Sequence, residues 1–123
     1  MLRRAVSLIQ ERIPASWSFS VSEQATMAGQ RVDAIIKITG PDGVDATLIV
    51  EAKRSVVTAD LPKLTARLSS LVADQEGRND QLTLVVARYL PLSAQKWLED
   101  RDVAYADATG NIRISLNLSL IHI

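Results

Sequence analysis

Two acidic residues and a lysine occur where the sequence otherwise predicts β-strands, and together they could do chemistry. Asp33 interrupts the β-rich run 31–39, and Glu51 and Lys53 end the run 46–53. Ionisable side chains inside strands need either solvent or one another. Two hard oxygen ligands bind Mg²⁺ or Mn²⁺, which keep positions for water and for a phosphate oxygen. A nearby ammonium could then hold or activate a nucleophile, so the three residues suit metal-assisted hydrolysis of a phosphodiester.

Strand geometry predicts that these three side chains meet. Glu51 and Lys53 are two positions apart, so they share one face of a strand and lie about 7 Å apart along it. The turn-forming run 40–43 separates the two strands and favours an antiparallel hairpin. Asp33 then lies opposite Glu51, because the two are equally distant from Asp42 at the turn. The alternative is an ordinary cross-strand ion pair on a solvated sheet face.

The composition narrows the chemistry further. The absence of cysteine excludes a disulfide scaffold, a thiolate metal site and a cysteine nucleophile. The single histidine, His122, argues against a serine-hydrolase triad and a multi-histidine metal site. Because 14 basic residues balance 14 acidic ones, the chain lacks the strongly basic footprint of a protein that coats nucleic acid by charge, although a local basic patch stays open.

The hydrophobic pattern predicts the elements that must position these residues. A chain of 123 residues that is 47% hydrophobic suggests one α/β domain, residues 1–123, with a mixed sheet flanked by helices. We expect caps at Asp60 and Ser93 and a loop over 23–30. The predicted helices cover 2–13, 60–74 and 93–101, and the predicted strands cover 17–22, 31–39, 46–53, 81–89, 103–106 and 112–116.

The N-terminal run 1–12 mixes charges into what would be the apolar core of a signal peptide. No apolar run approaches the roughly 20 residues that cross a bilayer. We therefore expect a cytoplasmic protein without a membrane segment.

Asp33, a hairpin and then Glu51-Ala52-Lys53 resemble the Asp…(Asp/Glu)-X-Lys signature of the PD-(D/E)XK phosphodiesterase superfamily, which has the restriction-endonuclease-like fold. The predicted elements over residues 1–89 are similar to that superfamily's αβββαβ core, and a C-terminal helix and β-hairpin follow. Val32 stands where the superfamily's name has proline, which is a common variation.

The resemblance implies a role for each matching position. Asp33 and Glu51 would bind Mg²⁺ or Mn²⁺, the Ala52 carbonyl would be a further ligand, and Lys53 would be the catalytic lysine. Some families add an acid from the first helix, for which Glu11 is the available candidate. The resemblance also implies DNA as the substrate and, as in relatives that cut duplexes, a homodimer.

Two interpretations remain for each of several other charged positions and for the overall function. Lys63 and Arg67 lie one turn apart on the second predicted helix and could contact phosphates or form a solvated face. Asp107, before Gly110 and Asn111, suggests turn chemistry first and a substrate role second. The chain could be a DNA nuclease, or a catalytically inactive nuclease-like module that binds DNA or a protein partner in a regulatory or defence system.

Overall fold

A six-stranded mixed sheet flanked by three helices forms the described part of the chain. The computed structural model describes residues 1–27, 29–41, 45–73, 80–116 and 121–122. The helices are α1 (Leu2–Glu11), α2 (Leu61–Ala73) and α3 (Leu92–Asp100). The strands are β1 (Ser18–Met27), β2 (Gln30–Thr39), β3 (Asp45–Ser55), β4 (Asp80–Tyr89), β5 (Ala104–Asp107), β6 (Ile112–Arg113), β7 (Ser115–Leu116) and β8 (Ile121–His122). The α/β fold class predicted from the sequence is confirmed.

The strands of the large sheet follow the order of the chain, from β1 to β6. β1, β2 and β3 are antiparallel neighbours, whereas β3, β4 and β5 run parallel to one another, and β6 returns antiparallel to β5. Parallel neighbours need crossover connections, which α2 and α3 supply. The carboxyl ends of β3 and β4 therefore lie at one edge of the sheet. β7 and β8 pair separately.

Both faces of the sheet are covered, which explains the nearly continuous apolar runs of its central strands. Alternate residues of β3, such as Leu48 and Val50, pack towards α1, around Ile9. Ile49 points the other way and packs with the residues of α2 and α3, among them Leu68. None of the described helices is long and apolar enough to cross a lipid bilayer.

The hairpin of β2 and β3 has the predicted register. The paired residues run from Thr39 with Asp45 to Ala34 with Val50. Continuing this register by one step would set Asp33 against Glu51, as predicted, but the ladder stops before that step. Residues 42–44 of the predicted turn lie outside the described residues.

The predicted loop over 23–30 is wrong for most of its length, because β1 continues to Met27. Ala25 and Met27 pack against the apolar layer that contains Val32, so tertiary contacts hold a polar sequence in a strand. Gln24 interrupts this strand with a φ of 51°.

The predicted cap at Ser93 is also wrong. α3 begins one residue earlier, with Pro91 in the capping position and no side-chain cap hydrogen bond. The Ser93 hydroxyl lies instead 3.3 Å from the Thr58 hydroxyl. Asp60 ends a short 3₁₀ turn, Thr58–Asp60, that leads into α2.

Candidate active site

Asp33 lies where β2 and β3 diverge. The backbone N–H of Ala52 donates a hydrogen bond of 2.7 Å to Oδ2 of Asp33. The backbone pairing of β2 with β3 ends at Ala34 and Val50. Beyond these residues the Asp33 carboxylate, in place of a backbone carbonyl of β2, accepts the hydrogen bond from β3. The half-buried Asp33 side chain therefore lies against the peptide group that joins Glu51 to Ala52.

A local break in β2 accounts for this position. Val32 and Ala34 are two residues apart and should share a face, yet Val32 packs on the α2 side and Ala34 on the α1 side. The pairing of β1 with β2 omits Gln24 and Asp33, which lie opposite each other between paired neighbours. The positive φ of Gln24 marks the same break on the neighbouring strand. Strict alternation from the sequence therefore does not give the direction of Asp33.

Glu51 points towards α2 and is paired with Arg67. Nη1 of Arg67 donates to Oε2 of Glu51 at 2.6 Å, and Nη2 of the same guanidinium donates to the Arg31 carbonyl at 2.7 Å. The Glu51 side chain is 17% exposed and that of Arg67 is 37% exposed. A short charge-assisted bond at this degree of burial is stronger than a neutral one. Arg67 thus ties α2 to both strands of the diverging hairpin.

A groove of about 840 Å³ between the end of β3 and α2 contains four of the predicted site residues. Glu51, Lys53, Lys63 and Arg67 all line it. Lys53 is exposed and forms no ion pair with any described residue. The lining of the groove thus carries three cationic side chains and the carboxylates of Glu51 and Asp60. Because Arg67 is paired with Glu51, the exposed Lys53 and Lys63 are the groups suited to contact an anion such as a phosphate.

Asp33 opens to the other side of the sheet. It lines a cavity of about 410 Å³ together with Ala52, Glu23 and the first residues of α1, Leu2 and Arg3. The two prospective carboxylate ligands are thus brought together at the Ala52 amide, while their side chains border different cavities. Lys53 lines the same groove as Glu51 and does not line the cavity that Asp33 borders.

Glu11 is not brought to this site. It is the exposed last residue of α1, whereas Leu2 and Arg3, at the other end of the helix, border the Asp33 cavity. Leu2 and Glu11 are nine positions apart on the helix, which separates them by about 13 Å along its axis. Within the described ranges, no three acidic, histidine or cysteine side chains are grouped as a metal site.

The donor chemistry at Asp33 and Glu51 nevertheless fits Mg²⁺ or Mn²⁺. Mg²⁺ commonly takes one or two protein carboxylates and completes its coordination with water and substrate oxygens. Each carboxylate here is half-buried and uses one oxygen in a hydrogen bond. The second oxygen of each accepts no hydrogen bond from the described residues. Each of these oxygens is by itself a chemically suitable ligand, as is the Ala52 carbonyl that the resemblance implies. Because the two side chains border different cavities, one cation can be held by both carboxylates only after the Asp33 side chain turns towards Glu51.

Asp107 has the turn role that its sequence context favours. Its carboxylate is fully buried and accepts five hydrogen bonds, which come from the Leu90 N–H, the N–H and hydroxyl of Thr109, and the N–H and side-chain amide of Asn111. Burial by itself would raise the pKa of Asp107, but hydrogen bonds from Asn111, Leu90 and Thr109 outweigh it and lower the pKa. The carboxylate is thus fully used in joining the β5–β6 turn to the end of β4.

No sequence pattern predicts the contact between Arg67 and Glu51. The position of Arg67 on the second predicted helix predicts either a phosphate contact or a solvated face, and neither interpretation pairs Arg67 with a proposed metal ligand. The two residues lie 16 positions apart on different elements, so only the packing of α2 against β3 brings them together.

No protein-family model matches this sequence, and no curated protein matches it. Among solved structures, the fold is similar to that of a repair endonuclease from Pyrococcus abyssi, with a TM-score of 0.55 and 18% sequence identity. The superposition covers 87% of this chain and 46% of that one, so the chain spans less than half the length of that endonuclease. At this identity the likeness shows a shared fold alone.

Two further structures superpose more weakly. EndoMS in its apo form gives a TM-score of 0.45 at 17% identity and covers 80% of this chain and 40% of that one. An fdxN element excision controlling factor protein from Anabaena variabilis gives 0.48 at 10% identity and covers 85% of each chain. These two likenesses carry no argument about function.

Proposed function

We propose that this chain is a metal-dependent nuclease of the PD-(D/E)XK type that hydrolyses phosphodiester bonds in DNA. The observation that carries the proposal is the hydrogen bond between the Asp33 carboxylate and the Ala52 amide. It holds the first acid of the motif against the peptide that bears the second, Glu51, at the point where their strands diverge. The similarity of the fold to that of a repair endonuclease also supports the proposal.

In this mechanism Asp33, Glu51 and the Ala52 carbonyl would hold Mg²⁺ or Mn²⁺, which requires the Asp33 side chain to turn towards Glu51 from the cavity that it borders. The cation would supply a bound water of lowered pKa and would neutralise charge on the phosphate. Lys53 is exposed at the same end of β3 and forms no ion pair with the described residues, so its ammonium is available to hold the attacking water and to stabilise the developing negative charge.

Lys63 and Arg67 form the other side of the groove and would contact the DNA backbone. Lys63 is exposed, whereas Arg67 is engaged with Glu51. Phosphate contacts from a few cations give binding that weakens as salt rises. The zero net charge agrees with a small cationic groove rather than with tight nonspecific coating of DNA.

The alternative function is a catalytically inactive nuclease-like module that binds DNA or a protein partner. The Glu51–Arg67 ion pair favours it, because this pair neutralises a proposed metal ligand without a metal. Under either function we propose that residues 1–123 act as one cytoplasmic domain. A homodimer stays a prediction, which light scattering on the purified chain would test.

A nuclease assay separates the two functions. The purified chain is incubated with Mg²⁺ or Mn²⁺ and supercoiled, linear or branched DNA. Asp33→Asn, Glu51→Gln and Lys53→Met should each reduce metal-dependent cleavage at least about 100-fold. Asp100→Asn and Lys96→Met make the same chemical changes on exposed positions of α3, outside the groove, and should cleave like the wild type.

Cleavage that is insensitive to Asp33→Asn and Lys53→Met would come from a contaminant and would refute the proposal. DNA binding without cleavage, weakened by Lys63→Gln, would favour the inactive module. Absence of both cleavage and DNA binding would leave a protein-binding role for the fold.

A further inference from the structure

Arg67 makes contacts that a simple phosphate-binding residue would not need. Its guanidinium reaches from α2 to two strands, with one nitrogen on Glu51 at 2.6 Å and another on the Arg31 carbonyl at 2.7 Å. Arg31 precedes Asp33 by two residues on β2, and Glu51 lies on β3. The same group therefore holds the two strands that carry the proposed metal ligands.

The charge of Arg67 compensates Glu51. A carboxylate that is only 17% exposed is stabilised by a positive partner, and Arg67 supplies it. A divalent cation on Glu51 would supply the same charge at closer range. Because like charges repel strongly in a partly buried site, the cation and the guanidinium cannot both lie against Glu51 without a cost.

We propose that Arg67 is a positioning residue that exchanges with the divalent cation on Glu51. It neutralises the carboxylate in the metal-free state, and it swings into the groove when the metal binds. This inference rests on the proposed function. A released guanidinium beside Lys53 and Lys63 suits bidentate contact with a phosphate, so metal and DNA each strengthen the binding of the other.

Mn²⁺ binding to the full chain, followed by the electron paramagnetic resonance signal of the free ion, tests the exchange. Arg67→Gln should bind Mn²⁺ more tightly than the wild type, within the range of roughly 5- to 150-fold that is typical of coupled sites. Lys63→Gln is the matched control. It removes the same charge one turn away in the same groove, but Lys63 forms no ion pair with Glu51, so the gain should be only about twofold because of screening by salt.

Glu51→Gln identifies the site and separates the two proposals. If Glu51→Gln abolishes Mn²⁺ binding and Arg67→Gln strengthens it, but the wild type does not cleave DNA, the nuclease proposal fails while the exchange is supported. If Arg67→Gln binds Mn²⁺ no more tightly than the wild type, or gains no more than Lys63→Gln, the exchange is overturned whether or not DNA is cleaved. If the wild type binds no Mn²⁺, both proposals are overturned.

A measurement on the wild type covers the case in which Arg67→Gln fails to fold. Nitrogen-15 spectra of the arginine side chains are recorded while Mg²⁺ is added. The Arg67 guanidinium should rotate faster once the ion pair with Glu51 breaks. The rotation of the Arg101 guanidinium, which is stacked on Trp97 at 3.8 Å, should not change. Unchanged Arg67 signals at saturating Mg²⁺ would overturn the exchange.

Discussion

Replacing Asp107 with asparagine should cost much of the stability of this protein. Two donors, the Leu90 N–H at 2.9 Å and the Asn111 side-chain amide at 2.9 Å, meet Oδ2 of Asp107, while the remaining three meet Oδ1. The carbonyl oxygen of an asparagine can face the three donors that meet Oδ1. Its NH₂ group must then face the Leu90 N–H and the Asn111 side-chain amide, which are themselves donors. Two charge-assisted hydrogen bonds are lost, at about 1.5 kcal/mol or more each, so we expect a loss of about 3 kcal/mol.

Urea denaturation followed by circular dichroism measures this loss. The midpoint should fall with an unchanged m value, and the melting temperature should fall by roughly 10 °C. Asp100→Asn makes the same substitution on an exposed position of α3 and should change the stability by at most about 0.5 kcal/mol.

The pH dependence provides a second check. The pKa of Asp107 is lowered from its ordinary value of 3.8, so the folded state favours the ionised carboxylate. Its contribution is complete above pH 3.8 and is lost as the pH falls through the lower pKa of the folded protein. The difference between wild type and Asp107→Asn should therefore be constant near neutral pH and shrink in acid. A difference below about 1 kcal/mol at pH 7, or one that grows in acid, would refute the account of Asp107 as a charged hydrogen-bond centre.

Two further predictions concern the layer that contains α2 and α3. Burial, together with a hydrogen bond of 2.8 Å that the Tyr105 hydroxyl donates to Glu99, raises the pKa of Tyr105 to about 12. Tyr105→Phe should remove the component near pH 12 from an ultraviolet titration and cost about 1 kcal/mol. The stability lost in Tyr105→Phe should be greatest below pH 10 and should vanish towards pH 12, because the tyrosine of the unfolded chain ionises at the lower pH. A wild-type titration without the component near pH 12 would contradict this prediction. Leu68→Ala should cost about 2–5 kcal/mol, because Leu68 is fully buried between α2 and the sheet, whereas Ser69→Ala on the exposed side should change little in the same urea titration.

Local sequence predicted the hairpin that carries the candidate site. The turn near Asp42 and the β-rich runs on each side predict a register in which Ala34 faces Val50, and this register is observed. Such a prediction succeeds because a turn and the strands beside it are adjacent in the chain. The same reason applies to Asp107, whose partners Thr109 and Asn111 are within four residues of it.

The direction of the Asp33 side chain needed tertiary structure. Strict alternation would place Asp33 on the face of Glu51, but the strand is broken at Asp33 and opposite it at Gln24. The break depends on where Val32 and Ala34 find apolar partners, and these partners come from both layers of the fold. A pattern along one strand holds no information about contacts with elements far away in sequence.

The sequence by itself therefore determined the α/β class, the hairpin register and the type of chemistry open to Asp33, Glu51 and Lys53. Only the tertiary structure decided that the Asp33 carboxylate lies on the Ala52 amide and that Arg67 neutralises Glu51. The physical reason is that residue type and spacing set which charges a strand carries, whereas the compensation of a half-buried charge depends on which distant element packs against it.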